Sequence, residues 1–274
     1  MRVMGSILIG FLVFAGVLIA SGAGEFLLNL SSALFGKYRG GPAKIAVVGS
    51  GFFGSLSGSA ISNVVGTGSV TIPLMKRIGY SPHYAAAIEA CASTGGVLMP
   101  PIMGATAFVM ATVLNVSYLY VIVAAIIPAI LYYFGLLMQV DAHAGRIGLK
   151  GLPPEELPSL KKTLKEGWPF IFVFLFLIWG LAYMRWEALT PYYASGVLVL
   201  LSFTSRKTML TPRKLVRVVI ETGQLIVQCM ALFLPIGIIV GALSMTGIMG
   251  SITAAIVYGA EMSMPIMLLL GIVV

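Results

Sequence analysis

Between Lys44 and Lys76 the chain runs for 31 residues (45–75) without a charged side chain, and basic residues flank the run: Lys37, Arg39 and Lys44 before it, Lys76 and Arg77 after it. As one helix this stretch would be about 46 Å long, too long for a single ~30 Å hydrocarbon crossing and too short for two crossings and a turn. Basic flanks mark the cytoplasmic side of a membrane, so both ends belong on the same face. A re-entrant hairpin over residues 44–76 satisfies both constraints. Its middle, GFFGSLSGSAISNVVGTGS, is the polar, glycine-rich part. A helix break there is tolerable at membrane depth only against protein or a water-filled cavity. The tip is predicted between Ser57 and Asn63.

The rest of the chain also calls for a bilayer. It is 59% hydrophobic and 9% charged, with a mean hydropathy of +1.02, more apolar surface than one soluble core of 274 residues can hide. The 17 Lys and Arg outnumber the 9 Asp and Glu, but they fall between apolar runs, not on an aromatic-interleaved face. They read as topology signals, not nucleic-acid contacts. Cys91 and Cys229 lie inside apolar runs with no CxxC and no nearby His, and read as structural thiols. His83 and His143 sit at loop edges and build no metal constellation. No nucleophile, paired acids or metal-ligand set falls within the apolar runs, which argues against an enzyme. With no GxxxxGK[ST], any ATP drive would need a separate subunit. Residues 1–24 read as a spanning helix, not a cleaved signal peptide.

A spanning helix over residues 6–19 leads into Ser21-Gly22-Ala23-Gly24 and then EFLLNLSSALFG, whose faces alternate at helical spacing as in an interfacial helix. After the hairpin, Ser81-Pro82 opens a helix over about 83–114. Ser93-Thr94-Gly95-Gly96 and then Pro100-Pro101 interrupt it, so it should unwind in its middle. A span over 118–138 follows, then a polar cytoplasmic loop over 140–166. Spans over 168–184 and 190–203 are joined by Arg185-Trp186-Glu187. Thr211-Pro212 then caps an amphipathic stretch in which Leu215, Val216, Val219 and Ile220 oppose Arg213, Lys214 and Arg217, the pattern of a helix lying flat on the membrane. A last span covers 222–243. The fold class expected is an all-α polytopic membrane protein.

The two ends of the sequence also correspond. VLIASGAG with its amphipathic stretch is mirrored by VGALSMTG with another, and Gly24 to Gly36 has the same spacing as Gly247 to Gly259. On the predicted topology one spanning helix enters the cytoplasm and its counterpart leaves it. That is the inverted-repeat plan of secondary transporters, with a first repeat over 1–139, a loop over 140–166, linking spans and an arm helix over 167–221, and the start of a second repeat over 222–274. A second hairpin would begin near Met264-Pro265. The chain is therefore expected to be a fragment that lacks the second half of its binding site.

Residues 40–105, GGPAKIAVVGSGFFGSLSGSAISNVVGTGSVTIPLMKRIGYSPHYAAAIEACASTGGVLMPPIMGA, resemble the large membrane subunit of the tripartite ATP-independent periplasmic (TRAP) transporters, and are most similar to the fused-permease branch that works with TAXI-type periplasmic receptors. The likeness is weaker over the rest of the chain. The resemblance implies a bacterial inner-membrane protein with an elevator-type mechanism, sodium as coupling ion, an organic-acid substrate delivered by a TAXI-type receptor, and a small four-helix membrane subunit or fused segment as partner. It implies no cofactor.

Broken helices expose carbonyls and helix termini near the midplane, and Ser57, Ser59, Asn63, Ser93 and Thr94 put hard oxygen ligands beside the two predicted breaks, a set suited to a sodium ion. Small residues that merely let helices pack closely are the alternative. The family resemblance supports Ser57, Gly58, Ser59 and Asn63 together with Ser93, Thr94, Gly95 and Gly96 as ion or substrate lining, with Pro100 and Pro101 shaping the break. Glu89, one turn before Ser93, is an intramembrane acid and so a functional candidate; its nearness to the cytoplasmic end favours a structural or interfacial role. The function expected is sodium-coupled import of a small, dicarboxylate-like organic acid. The alternatives are a carboxylate carrier of another family without a receptor, and a channel.

Overall fold

A computed structural model describes residues 2–184, 186–203 and 211–248, with isolated positions between 250 and 265. All the regular structure in these residues is helical, as the apolar runs require. Ten α-helices follow in order: α1 Arg2–Ser21, α2 Ala23–Phe35, α3 Gly41–Ser57, α4 Ala60–Arg77, α5 Pro82–Gly96, α6 Ala105–Val113, α7 Tyr118–Arg146, α8 Leu160–Ala182, α9 Thr190–Ser202 and α10 Pro212–Met245. By length and composition α7, α8 with the turn before it, and α10 can each cross a membrane; α1 and α2, bent by 67°, together can form a fourth span. The bend falls at Gly22, in the left-handed region at φ 97°, where a residue without a Cβ costs least.

Helices α3 and α4 form the hairpin anticipated from the charge-free stretch. They reverse over Gly58 and Ser59 and pair antiparallel, with Ser50 opposite Thr67 and the Asn63 amide on the Ser50 carbonyl. Helix α5 packs on both. Where the three meet, glycine replaces side chain: a Cβ on Gly54 would lie 2.5 Å from the Gly96 Cα, and one on Gly68 would lie 3.0 Å from the Glu89 Cγ. An apolar core of Ala43, Ala46, Val47, Met75, Ile88 and Tyr133, among others, seals this group against α7. Helix α1 packs along α9, and Phe26 of α2 stacks on Phe170 of α8 at 5.5 Å.

Three boundaries differ from the sequence reading. The loop expected over 140–166 is confined to 147–159, because α7 continues to Arg146 and α8 begins at Leu160. Charge alone does not end a helix: Asp141 on α7 takes the Arg39 guanidinium and, at 2.6 Å, the Lys44 ammonium, tying that helix to the start of α3. The amphipathic helix expected to end at residue 221 instead continues into the last span as α10, with an Arg217–Glu221 pair at 3.3 Å one turn apart and no proline between Pro212 and Pro235. In the broken helix, Ser93 to Gly96 form the last regular turn of α5, and the unwound segment is 97–104.

The contacts divide the chain into a unit ending at Ile226 and a second beginning at Val227. In the second, α10 runs on to Met245, Gly247 takes φ 73°, and the described positions beyond it are helical. Gly259 and Met264, on which the proposed repeat and second hairpin depend, lie outside the described residues.

Candidate functional site

The hairpin tip is built from one glycine and one cap. Gly58 ends α3 at φ 61°, in the left-handed region, and its N–H donates to the Gly54 carbonyl at 2.9 Å. Ser59 turns extended and caps α4, its Oγ accepting from the Ser62 N–H at 3.3 Å. Serine suits that place because its hydroxyl satisfies one of the amides a helix start leaves free. Ser57 is buried, and its hydroxyl donates to the Ser59 carbonyl at 3.4 Å.

The second break closes differently. Residues 97–104 loop out between α5 and α6, closed by the Gly104 N–H on the Val97 carbonyl at 2.8 Å, with a cis Pro100-Pro101 bond and Met103 at φ 63°. Tyr118 supports the loop from α7: its hydroxyl donates to the Ile102 carbonyl, and its ring stacks on Phe108 at 4.4 Å. The two breaks touch. Gly58 lies so close to Met103 that a Cβ on it would stand 2.5 Å from the Met103 carbonyl oxygen. The carboxyl ends of α3 and α5 and the amino ends of α4 and α6 flank these breaks, so carbonyl oxygens and amide hydrogens both gather there. Such ends attract cations and anions respectively.

The residues anticipated from sequence divide into two sets. Ser57, Gly58, Ser59 and Pro100 lie at the facing breaks. Asn63 and Ser93 are fully buried and already engaged: Asn63 donates to the Ser50 carbonyl at 2.7 Å, and Ser93 donates to Glu89 at 3.2 Å. Thr94 is exposed and bonds the Ala90 carbonyl of its own helix at 2.8 Å. Gly95 lies against the Tyr132 ring, and Gly96 against Gly54 and Asn63, so these two glycines serve close packing. Among the described residues no three His, Cys, Asp or Glu gather as a metal-ligand group.

Glu89, for which the sequence favours a structural or interfacial role, lies in the interior and not at an interface. It has no exposed surface, and four hydroxyls surround its carboxyl. Ser50 and Thr67 lie 2.5 Å from Oε1, Ser93 lies 3.2 Å from Oε1, and Thr71 lies 2.5 Å from Oε2. The signal for it was in the sequence: Asn63, Thr67 and Thr71 recur every four residues along one face of α4, and Ser93 follows Glu89 at the same interval.

Comparison with known proteins agrees with this architecture. A family model described as the tripartite ATP-independent periplasmic transporter DctM component matches residues 1–274. The chain is 29% identical to the C4-dicarboxylate TRAP transporter large permease protein DctM of Pseudomonas aeruginosa over 80% of its own length and 51% of the relative's. It is 30% identical to the Vibrio cholerae protein of the same name, over 71% of this chain and 42% of the relative. With the sialic acid TRAP transporter permease protein SiaT of Haemophilus influenzae it shares 26% identity, over 62% of this chain and 28% of the relative. The chain thus matches about half, or less, of the length of these curated relatives.

Proposed function

Because this chain belongs to the DctM-component family of tripartite ATP-independent periplasmic transporters, a family of bacterial inner-membrane permeases and not of enzymes, we propose that it supplies one half of the carrying site of a sodium-coupled importer of a small organic acid. The observation that carries the proposal is the contact between the two helix breaks at Gly58 and Met103. A sodium ion would be held by backbone carbonyls there with the hydroxyls of Ser57 and Ser59, and an acid's carboxylate would be drawn to the amino ends of α4 and α6. Relatives named for C4-dicarboxylates support a dicarboxylate-like substrate, while those named for sialic acid and isethionate keep the acid group as the shared feature. The hairpin and broken helix would move together as the carrying body of an elevator, with inverted repeats supplying the two halves of the site. A soluble periplasmic receptor of the TAXI type and a small four-helix membrane subunit, or a segment fused in its place, would complete the system.

Uptake of a labelled C4-dicarboxylate into proteoliposomes holding the intact permease, its small subunit and its receptor tests this reading. Uptake is expected to require both sodium and receptor, and Ser57→Ala and Ser59→Ala variants are expected to need several times more sodium for half-maximal rate. Sodium-independent uptake, or variants with unchanged sodium demand, would remove the ion from the hairpin tip.

A further inference from the structure

Tyr118, which supports the loop of the second break, is itself held from another part of the chain. Its ring is buried between Phe108 of α6, stacked at 4.4 Å, and Phe11 of α1, edge-on at 5.3 Å. Its backbone N–H donates to Glu187 Oε2 at 3.2 Å, and the hydroxyl of Ser117, the residue before it, donates to Glu187 Oε1. One carboxylate thus holds the first two positions of α7. Glu187 is half-buried in the connection between α8 and α9. Helix α8 leaves the basic, cytoplasmic side of the membrane, so on the predicted topology this connection lies on the outer face.

The connection can deliver the carboxylate because it is tightly tied. The Trp186 carbonyl accepts from the Leu189 N–H at 3.1 Å, the Thr190 N–H at 2.8 Å and the Thr190 hydroxyl at 2.7 Å. Gly180 lets Thr190 close against α8, since a Cβ there would lie 2.4 Å from Thr190 Cγ2. A carboxylate also suits its target. The first turn of a helix leaves amides free and presents the positive end of the helix dipole. Ser117 Oγ accepts from the Leu119 N–H at 3.2 Å, which leaves the Ser117 proton for Glu187, while Glu187 takes the Tyr118 N–H. Hydrogen bonds to an ionised acceptor are the stronger kind. From there a continuous line of contacts reaches the site: Tyr118 to the Ile102 carbonyl, Met103 next to it at φ 63°, and the Met103 carbonyl against Gly58 at the hairpin tip.

We propose that Glu187 is a positioning residue for the cargo site. From the outer connection it fixes the start of α7, and with it the Tyr118 ring and hydroxyl that hold the 97–104 loop against the hairpin tip. It touches no cargo and acts through Tyr118. Supporting groups of this kind keep a site in its binding geometry, so their loss weakens binding of the ion and the acid at the breaks. The inference rests on the carrier reading above for what the breaks hold.

The test has two arms. In the first, hydrogen exchange over 102–105 is measured in the detergent-solubilised permease; Glu187→Ala is expected to speed it several-fold. In the second, uptake of labelled C4-dicarboxylate is measured in proteoliposomes holding the intact permease and its partners. Glu187→Ala is expected to raise the sodium and substrate concentrations for half-maximal rate several-fold, and Glu187→Gln, which keeps an accepting oxygen, to recover most of that loss. The Glu187→Ala, Tyr118→Phe double variant is expected to be no worse than the weaker of the two single variants, because both cut one line of contacts. A merely structural role would lower the amount of folded protein and the maximal rate while leaving the half-maximal concentrations in place, and that result would overturn the proposal. So would unchanged exchange over 102–105 in Glu187→Ala, or a double variant in which the two effects multiply. Should Glu187→Ala fail to assemble, Glu187→Asp, one carbon too short to reach both α7 positions, is expected to move exchange and half-maximal concentrations in the same direction, and unmoved values would count against the proposal. Failure of the carrier reading looks different: exchange over 102–105 quickens in the variant, yet no protein, wild type included, carries the acid.

Discussion

The two helix breaks at the site are made by opposite means. The hairpin turns within two residues: Gly58 takes the left-handed conformation at little cost, and Ser59 starts the next helix with its own cap. The second break spans eight residues, 97–104, and places Met103, which has a Cβ, at φ 63°. Such a conformation disfavours any residue with a Cβ, so this loop is held from outside, by Tyr118 on its carbonyls and Phe108 on the Tyr118 ring. The first break is written in its own residues; the second depends on its neighbours.

Substitutions can separate these two designs. The largest effect is expected where both breaks share a support, at the Gly54–Gly96 crossing beneath them. Gly96→Val would drive a side chain into the Gly54 Cα, 2.7 Å from an ideal Cβ, and toward the Asn63 amide. A loss of about 3 kcal/mol, the upper end of the usual cost of overpacking, is expected in thermal unfolding of the detergent-solubilised permease. Gly58→Ala comes next, at about 1–2 kcal/mol for the left-handed backbone, with added displacement of the Met103 carbonyl; it should raise hydrogen exchange at both breaks. Tyr118→Phe removes the hydroxyl that holds Ile102, at about 1 kcal/mol, and should speed exchange over 102–105 while leaving the hairpin tip protected. Equal loosening of both breaks by Tyr118→Phe would show that the hairpin also depends on neighbours.

The same contrast explains what was legible in the sequence. The hairpin could be read because its signals are local: a charge-free run with basic flanks, a glycine and a capping serine. The break after α5 was legible in kind, through Pro100 and Pro101, but placed too early. Gly95 and Gly96 look like breakers, yet they stay helical and admit the Tyr132 ring and the Gly54 backbone. The ends of α7 and α8 were misplaced because charged residues such as Asp141 were read as loop, although a helix that outruns the hydrocarbon carries charge without breaking. The Glu89 cage was half legible. The four-residue spacing of Asn63, Thr67 and Thr71 marks a polar face, but nothing in one sequence says that this face meets Glu89, because that pairing is made by glycines at the crossing of three helices. For the same reason the sequence assigns Asn63 and Ser93 to the ion, while in the structure Asn63 donates to the Ser50 carbonyl and Ser93 to Glu89.

The most direct test is whether the facing breaks close around cargo. With Cys91 and Cys229 replaced by alanine and Ser59→Cys introduced at the tip, thiol modification of the reconstituted permease would be timed with and without sodium, receptor and labelled C4-dicarboxylate. Modification slowed several-fold by sodium, and further by substrate, is the expected result. Modification at one unchanging rate while substrate is being carried would place the cargo elsewhere and contradict the site.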